Sequence, residues 1–394
     1  MRIGFDYTAA VRQGAGIGRY TRQLFQALIE LDTRNEYVLL IAGRGVGLSG
    51  ERPEPGRGLG YAPELGEIAT RPNVRVVTVP LSDRALMILW HRLRVPLWVE
   101  LFCGSLDLFH SPDFTLPPVR RASGVLTVHD LSFIRVPHSA HPQLRAYLLQ
   151  AVPRSVQRAD WVLADSECTK RDLIELLGAT TDSVKVIYPG VERRFRPVRE
   201  AALRAVVRER YQLPPRFVLA LSTLQPRKNF ERLIRAFARL PESVRQEVKL
   251  VIAGGRGWRY EGIFETVSAL QMEDAVCFPG YVADQDLPAL YSLAELFALP
   301  SLYEGFGLEP LEAMACGTPV VTSNVSSLPE VVGDAAISVD PLDVDGLAEA
   351  LELVLSDPAL QQDMIRKGID RARRFTWEAA AHKLLRLYER AVAA

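Results

Sequence analysis

Two glutamates, Glu304 and Glu312, stand with seven residues between them around the segment Gly305-Phe306-Gly307-Leu308. The glycines allow a sharp backbone turn, and Leu308 to Ala315 has a helical composition that stops at Gly317. A helix beginning there presents unpaired N–H groups and partial positive charge, so a diphosphate fits against it. The flanking carboxylates would repel that anion, which leaves sugar hydroxyls as their natural partners. A plain helix N-terminus is the alternative, with Glu309 and Glu312 favouring the dipole and Glu304 in solvent. Upstream, Ser222-Thr223-Leu224-Gln225-Pro226-Arg227-Lys228-Asn229 sets two adjacent cations just ahead of a predicted helix. They can neutralise a pyrophosphate leaving group, or form a solvated basic turn.

The elements that must position these groups follow from the apolar runs. Arg2–Asp6, Tyr37–Ala42, Val74–Pro80, Asp107–His110, Gly124–Val128, Trp161–Asp165 and Val184–Tyr188 alternate with longer helical stretches, the pattern of a mostly parallel sheet. Phe217–Ser222, Lys249–Gly254, Val276–Gly280, Leu296–Pro300, Pro319–Thr322 and Ala336–Val339 repeat it. This predicts an α/β chain of two doubly wound Rossmann-like domains, residues 1–190 and 191–376, facing across a deep cleft. Tyr188-Pro189-Gly190-Val191 and the residues to Pro197 form the expected linker and hinge. With 394 residues the chain exceeds one ordinary core, and 48% hydrophobic with 24% charged residues describes a folded protein. The formal net charge is 0, so there is no basic excess for a nucleic-acid partner. Cys103, Cys168, Cys277 and Cys316 lie far apart, which suits thiols in a reducing cytoplasm better than disulfides or a metal site.

Other segments carry weaker signals. Gly14-Ala15-Gly16-Ile17-Gly18-Arg19-Tyr20 follows the first strand and lets amides approach phosphate, with Gly16 and Ile17 as the best candidates, or merely makes the turn. Its third glycine arrives one residue early for a dinucleotide fingerprint, which argues against a dehydrogenase. Tyr20, Leu24, Leu28 and Leu31 then fall on one helical face. His129 and Asp130 sit at the carboxyl end of a predicted strand, where ligand-touching groups of such sheets belong, although a lone histidine there is commonly structural. His138 and His141 lack a carboxylate to complete a metal site and read as an acceptor-side loop. The span Gly43 to Pro72 reads as a surface loop. Between Leu81 and Phe102, Leu86, Leu89, Trp90 and Leu93 recur at helical spacing among arginines. A core-facing helix is the leading reading of such a segment, and a peripheral contact with a membrane is the alternative. No run reaches the ~18 apolar residues that would cross a bilayer.

The Glu304 to Glu312 segment, with the following Ala313-Met314-Ala315-Cys316-Gly317-Thr318-Pro319, closely resembles the retaining nucleotide-sugar glycosyltransferases of glycosyltransferase family 4, which have the GT-B fold. The resemblance implies that Glu304 holds hydroxyls of the donor sugar and that Glu312 holds the nucleotide ribose. The backbone of Phe306, Gly307 and Leu308 would bind phosphate. It also implies that Arg227 and Lys228 assist the leaving diphosphate, with Ser222 on the donor side, and that Tyr281 and Val282 meet the nucleobase. His129, and next Asp130, would hydrogen-bond the transferred sugar. A final helix, 377–394, would complete the first domain. The phrases I-G-R-Y-T and V-H-D-L-S resemble mannosyltransferases of surface polysaccharide assembly. The implied reaction is metal-independent transfer of mannose from GDP-mannose, as co-substrate rather than cofactor, to a glycan or lipid-linked glycan. The implied setting is cytoplasmic, with membrane association on that face. A UDP- or ADP-sugar enzyme and a non-catalytic sugar-nucleotide-binding subunit are the alternatives.

Overall fold

The computed structural model describes residues 1–14, 16–43 and 64–393, and the chain divides into two compact units. The first comprises Met1–Leu131, Gln143–Gly190 and Trp377–Ala394; the second comprises Ser132–Pro142 and Val191–Thr376. The surface-loop reading of Gly43 to Pro72 falls outside the described residues over 44–63. Its end is not loop but the short helix Leu65–Ile68, held by burial of those two side chains.

In the first unit β1 (Arg2–Asp6), β2 (Glu36–Ala42), β3 (Val74–Val79), β4 (Leu108–Ser111), β5 (Ser123–Val128), β6 (Trp161–Ala164) and β7 (Val184–Val186) form a parallel sheet ordered β3-β2-β1-β4-β5-β6-β7. The inner strands are mostly apolar because helices cover both faces, while β3 and β7 at the ends of the sheet carry Arg75 and Lys185. The order reverses beside β1 and β4. Phe5 and Phe25 pack at 5.1 Å, and Tyr20 meets Trp377 edge-on at 5.6 Å, where the helices Ile17–Leu31 and Trp377–Ala393 lie together. Leu31 departs from the expected stripe: it is exposed at the helix's final residue, while Leu28 and Ile29 in the same turn stay buried.

In the second unit β8 (Phe217–Leu221), β9 (Lys249–Ala253), β10 (Val276–Gly280), β11 (Leu296–Leu299), β12 (Val320–Ser323) and β13 (Ile337–Val339) give the order β10-β9-β8-β11-β12-β13, again with parallel pairings. Here the reversal lies beside β8 and β11. The helix Phe230–Ala238 buries Phe230, Leu233, Ile234 and Phe237 against this sheet. The segment 132–142, read from sequence with the first domain, belongs to the second unit. Trp258 Nε1 donates to Ser139 O at 2.8 Å and Arg259 donates to His138 O at 2.9 Å, so two chain carbonyls are captured by side chains that follow β9.

The apolar stripe between Leu81 and Phe102 is only partly internal. It folds as the helix Asp83–Met87 and a π turn, Ile88–Arg92; Leu86 and Trp90 are buried, whereas Leu93 is exposed. Among the described residues no helix is long and apolar enough to cross a membrane. The four cysteines are free thiols.

His110, fully buried, contacts Tyr388 Oη through Nδ1 at 2.7 Å and Thr127 Oγ1 through Nε2 at 2.8 Å. This stitches the last helix to β4 and β5. Tyr388→Phe would strand one buried imidazole nitrogen, and urea unfolding should show a loss of about 1–3 kcal/mol. An unaltered midpoint would remove that role.

Candidate active site

The second unit builds its site from the two loops that leave β8 and β11. After β8, Ser222 leads to a single turn, Pro226–Lys228, which ends at Asn229 in the left-handed region (φ 61°). Asn229 Nδ2 donates to Pro300 O at 2.9 Å and to Pro341 O at 2.7 Å, and Leu302 N donates to Arg227 O at 2.8 Å. These bonds clamp the two loops together. Gly254 (φ 137°) lies so close to Ser222 that a Cβ there would stand 1.9 Å from its carbonyl oxygen, and the Gly255–Gly257 backbone bonds Leu224. After β11, Ser326 Oγ accepts from Glu304 N at 2.9 Å, while Ser327 Oγ donates to the carbonyls of Glu304 and Phe306. Gly307 (φ 101°) then opens the helix Leu308–Ala315.

Glu304 is buried rather than solvated, and Arg227 and Lys228 do not form a solvated turn. Arg227 Nη1 donates to Glu304 Oε2 at 2.5 Å and to Tyr303 O at 2.6 Å. Lys228 Nζ donates to Glu304 Oε1 at 2.7 Å and Glu309 Oε1 at 3.1 Å. Burial would push the Glu304 carboxyl up, but Arg227 and Lys228 beside it hold it well below the usual carboxylate range. Charges this deep are tolerable only when paired. Ser222 Oγ also donates to Glu309 Oε1, at 3.2 Å. Glu309 is therefore a member that the sequence reading assigned only to the helix dipole. Its place one residue beyond the first helical residue was the available signal.

Glu312, one turn further along this helix, is buried and accepts from Tyr291 Oη at 3.1 Å. After β10, Tyr281 is 62% exposed and Val282 is buried. The two cations, two carboxylates, the hydroxyl of Ser222 and the helix start thus converge beyond the carboxyl ends of the central strands β8 and β11. Such a set can bind an anion and hydroxyls side by side.

The first unit has its own arrangement around β1, β4 and β5. Gly16 (φ 57°) caps the helix Ile17–Leu31, and a Cβ on Gly18 would lie 2.1 Å from Gln13 O. Arg22 was missed in the sequence: its guanidinium donates to the carbonyls of Ala10, Gln13 and Gly14, occupying the acceptors of the turn. Ile17 lines a cavity of about 640 Å³ with Asp6, Arg12, Asp83, Asp113 and Tyr147.

His129 lies behind this cavity, between the rings of Tyr20 (4.7 Å) and Phe114 (5.4 Å). Nδ1 is 2.7 Å from Asp165 Oδ2 and Nε2 is 2.9 Å from Pro112 O. The Pro112 carbonyl can only accept, so Nε2 carries a proton, and beside an ionised Asp165 Nδ1 carries one too. Burial opposes the charge, but Asp165 and this bonding raise the imidazolium to about 9; burial also pushes the Asp165 carboxyl up. Both ring N–H groups are thus already committed inside the unit. Asp130 follows directly, partly buried.

Two family descriptions match this chain: Glycosyltransferase Family 4 over residues 14–195 and Glycosyl transferases group 1 over residues 207–371. The O-antigen chain mannosyltransferase B of Escherichia coli is 36% identical over 284 residues, covering 72% of this chain and 74% of that protein. The serotype-specific mannosyltransferase WbdA of Escherichia coli is 34% identical over 244 residues, which span 61% of this chain but only 30% of WbdA. Among solved structures, sucrose-phosphate synthase from Thermosynechococcus elongatus superposes with a TM-score of 0.75 at 22% identity, covering 100% of this chain and 99% of that one. The fold is accordingly GT-B, with two parallel-sheet Rossmann-like domains.

Because the folded value of His129 lies above its ordinary 6.5, the pair's stabilisation should be complete below about pH 6.5 and lost as pH rises through about 9. In wild type the His129 imidazole carbon resonance should titrate near that upper value, and Asp165→Asn should move it down. A wild-type midpoint at 6.5 would eliminate the imidazolium.

Proposed function

Since the chain belongs to glycosyltransferase family 4, we propose that it transfers mannose from GDP-mannose, with retention of anomeric configuration, to a hydroxyl of a glycan or lipid-linked glycan. The observation that carries this reading is the pair of half-buried Arg227 and buried Lys228, both bonded to Glu304 beside the start of the helix Leu308–Ala315. A nucleoside diphosphate brings negative charge to those donors. Sugar hydroxyls bring protons to the carboxylates that the donors now hold. Donor and cluster therefore exchange partners: phosphate oxygens take N–H groups from Arg227 and Lys228, and Glu304 accepts from the hexose. Glu312 accepts from the ribose, and Phe306 to Leu308 offer backbone amides. Mannose as the sugar is supported by the two mannosyltransferase relatives, and guanosine is our reading from the resemblance of the I-G-R-Y-T and V-H-D-L-S phrases to mannosyltransferases of surface polysaccharide assembly.

In the chemical step the bond from the anomeric carbon to the diphosphate breaks and the leaving oxygen keeps the electron pair. Arg227, Lys228 and the amides stabilise that charge, which is the largest contribution such a site makes. The acceptor oxygen attacks the same face and gives its proton to the departing phosphate, so no protein base is assigned. No metal is assigned either, because two cations and a helix start already face the diphosphate. In the first unit, Asp130 is the candidate for a bond to the transferred sugar, since both His129 nitrogens are already taken by Asp165 and Pro112. His129 acts there as a fixed positive charge rather than as a proton shuttle.

Glu304→Ala should lower kcat at least about a hundredfold while GDP still raises the melting temperature. Wild-type turnover in that variant would remove the sugar-holding role. Arg227→Ala with Lys228→Ala should weaken GDP binding by calorimetry at least about tenfold, and equal affinity would remove the phosphate role. Thermal shifts with GDP, UDP and ADP should rank GDP first; a UDP or ADP preference would exclude GDP-mannose.

A further inference from the structure

Beside the 640 Å³ cavity of the first unit lies a second, of about 380 Å³, and the two share Trp90 and His91 as walls. Their linings are chemically opposite. The larger carries Asp6, Asp83 and Asp113 against Arg12 and Arg84. Arg12 is already committed, to Asp83 and to Ala42 O at 2.8 Å. Asp6 and Asp113 are left as acceptors suited to hydroxyl donors and unsuited to an anion.

The smaller cavity carries Arg94, Arg154 and Arg158 and no carboxylate, and among the described residues none of the three is ion-paired to an acid. Arg158, exposed like Arg94 and Arg154, is held in place by its bond to Leu116 O, and desolvation lowers its pKa. Burial and the neighbouring Arg158 push His91 down to about 4, so it adds no charge of its own. Trp90 donates Nε1 to Leu97 O at 2.8 Å, which fixes the wall between the cavities. Three guanidinium groups around a concave space form a phosphate seat, because their planar N–H pairs match phosphate oxygens.

We propose that this three-arginine cavity binds the phosphate of the acceptor, which is a saccharide carried as its phosphate ester, with its sugar in the adjoining acid-lined cavity. This rests on the glycosyl-transfer reading above and adds the acceptor's chemical class. A ligand with hydroxyls at one end and an anion at the other satisfies both linings at once. Arginines outnumber acids only in the smaller cavity, so the pair of cavities also orients the ligand.

Calorimetry on the full chain would compare octyl mannoside, mannosyl octyl phosphate, inorganic phosphate, and phosphatidylcholine vesicles with and without phosphatidylglycerol. The phosphate ester should bind wild type at least about tenfold more tightly than the plain glycoside. That advantage should vanish in Arg94→Gln with Arg154→Gln, two exposed positions whose melting temperature reports retained folding. Equal affinities in wild type, or an advantage that survives the double substitution, would overturn the proposal. Arginine-dependent binding of free phosphate, or of the anionic vesicles, without any gain for the ester would overturn it too, in favour of a free anion or a membrane surface. Failure of the underlying reading would appear separately, as wild type that neither binds GDP nor transfers mannose.

Discussion

Reversal of strand order is the constraint from which both sites follow. Where a parallel sheet changes direction, neighbouring strands send their loops to opposite faces, and a crevice opens beyond their carboxyl ends. In the second unit this occurs between β8 and β11, in the first between β1 and β4. Backbone and side-chain polar groups at such a crevice have no helix or strand to satisfy them. They must bond one another, water or a ligand.

The second unit resolves this by charge pairing. Lys228 and Glu304 are almost completely buried, and each would be untenable alone. Together with Arg227 and Glu309 they sum to no net charge. The ligand-free site is therefore stable while holding the donors and acceptors that a sugar nucleotide needs. Asn229 and Ser327 matter as much as the charges, because their bonds hold two loops in one geometry, and a pre-set geometry is what makes such electrostatics effective.

The first unit uses the same crevice differently. Its Asp6 and Asp113 line a cavity, Arg22 takes the carbonyls of Ala10, Gln13 and Gly14, and its histidine is held between Asp165 and Pro112. A histidine at the end of an apolar strand invites the reading of a hydrogen-bond partner for sugar. Its two fixed bonds turn it into a charge that shapes the field around the cavity.

Much of the fold was legible locally. Apolar runs marked the strands of both sheets to within a residue or two at each end, since a strand covered on both faces must be apolar throughout. Gly307 and Gly317 marked both ends of one helix because their positive φ angles favour glycine. The acidic pair and the Arg-Lys pair were legible by residue type and by resemblance. What local pattern could not contain was who holds whom. Glu304 with Lys228, Glu309 with Ser222 and His129 with Asp165 lie 76, 87 and 36 residues apart. Those partnerships arise only when strands are stacked in an order that periodicity does not encode. The same holds for the two cavities, whose opposite linings come from helices and loops that meet only in the folded unit. Sequence by itself determined the elements and the chemical repertoire, through short-range sterics and burial. Tertiary structure decided pairing, protonation and exposure, because those depend on distance through space.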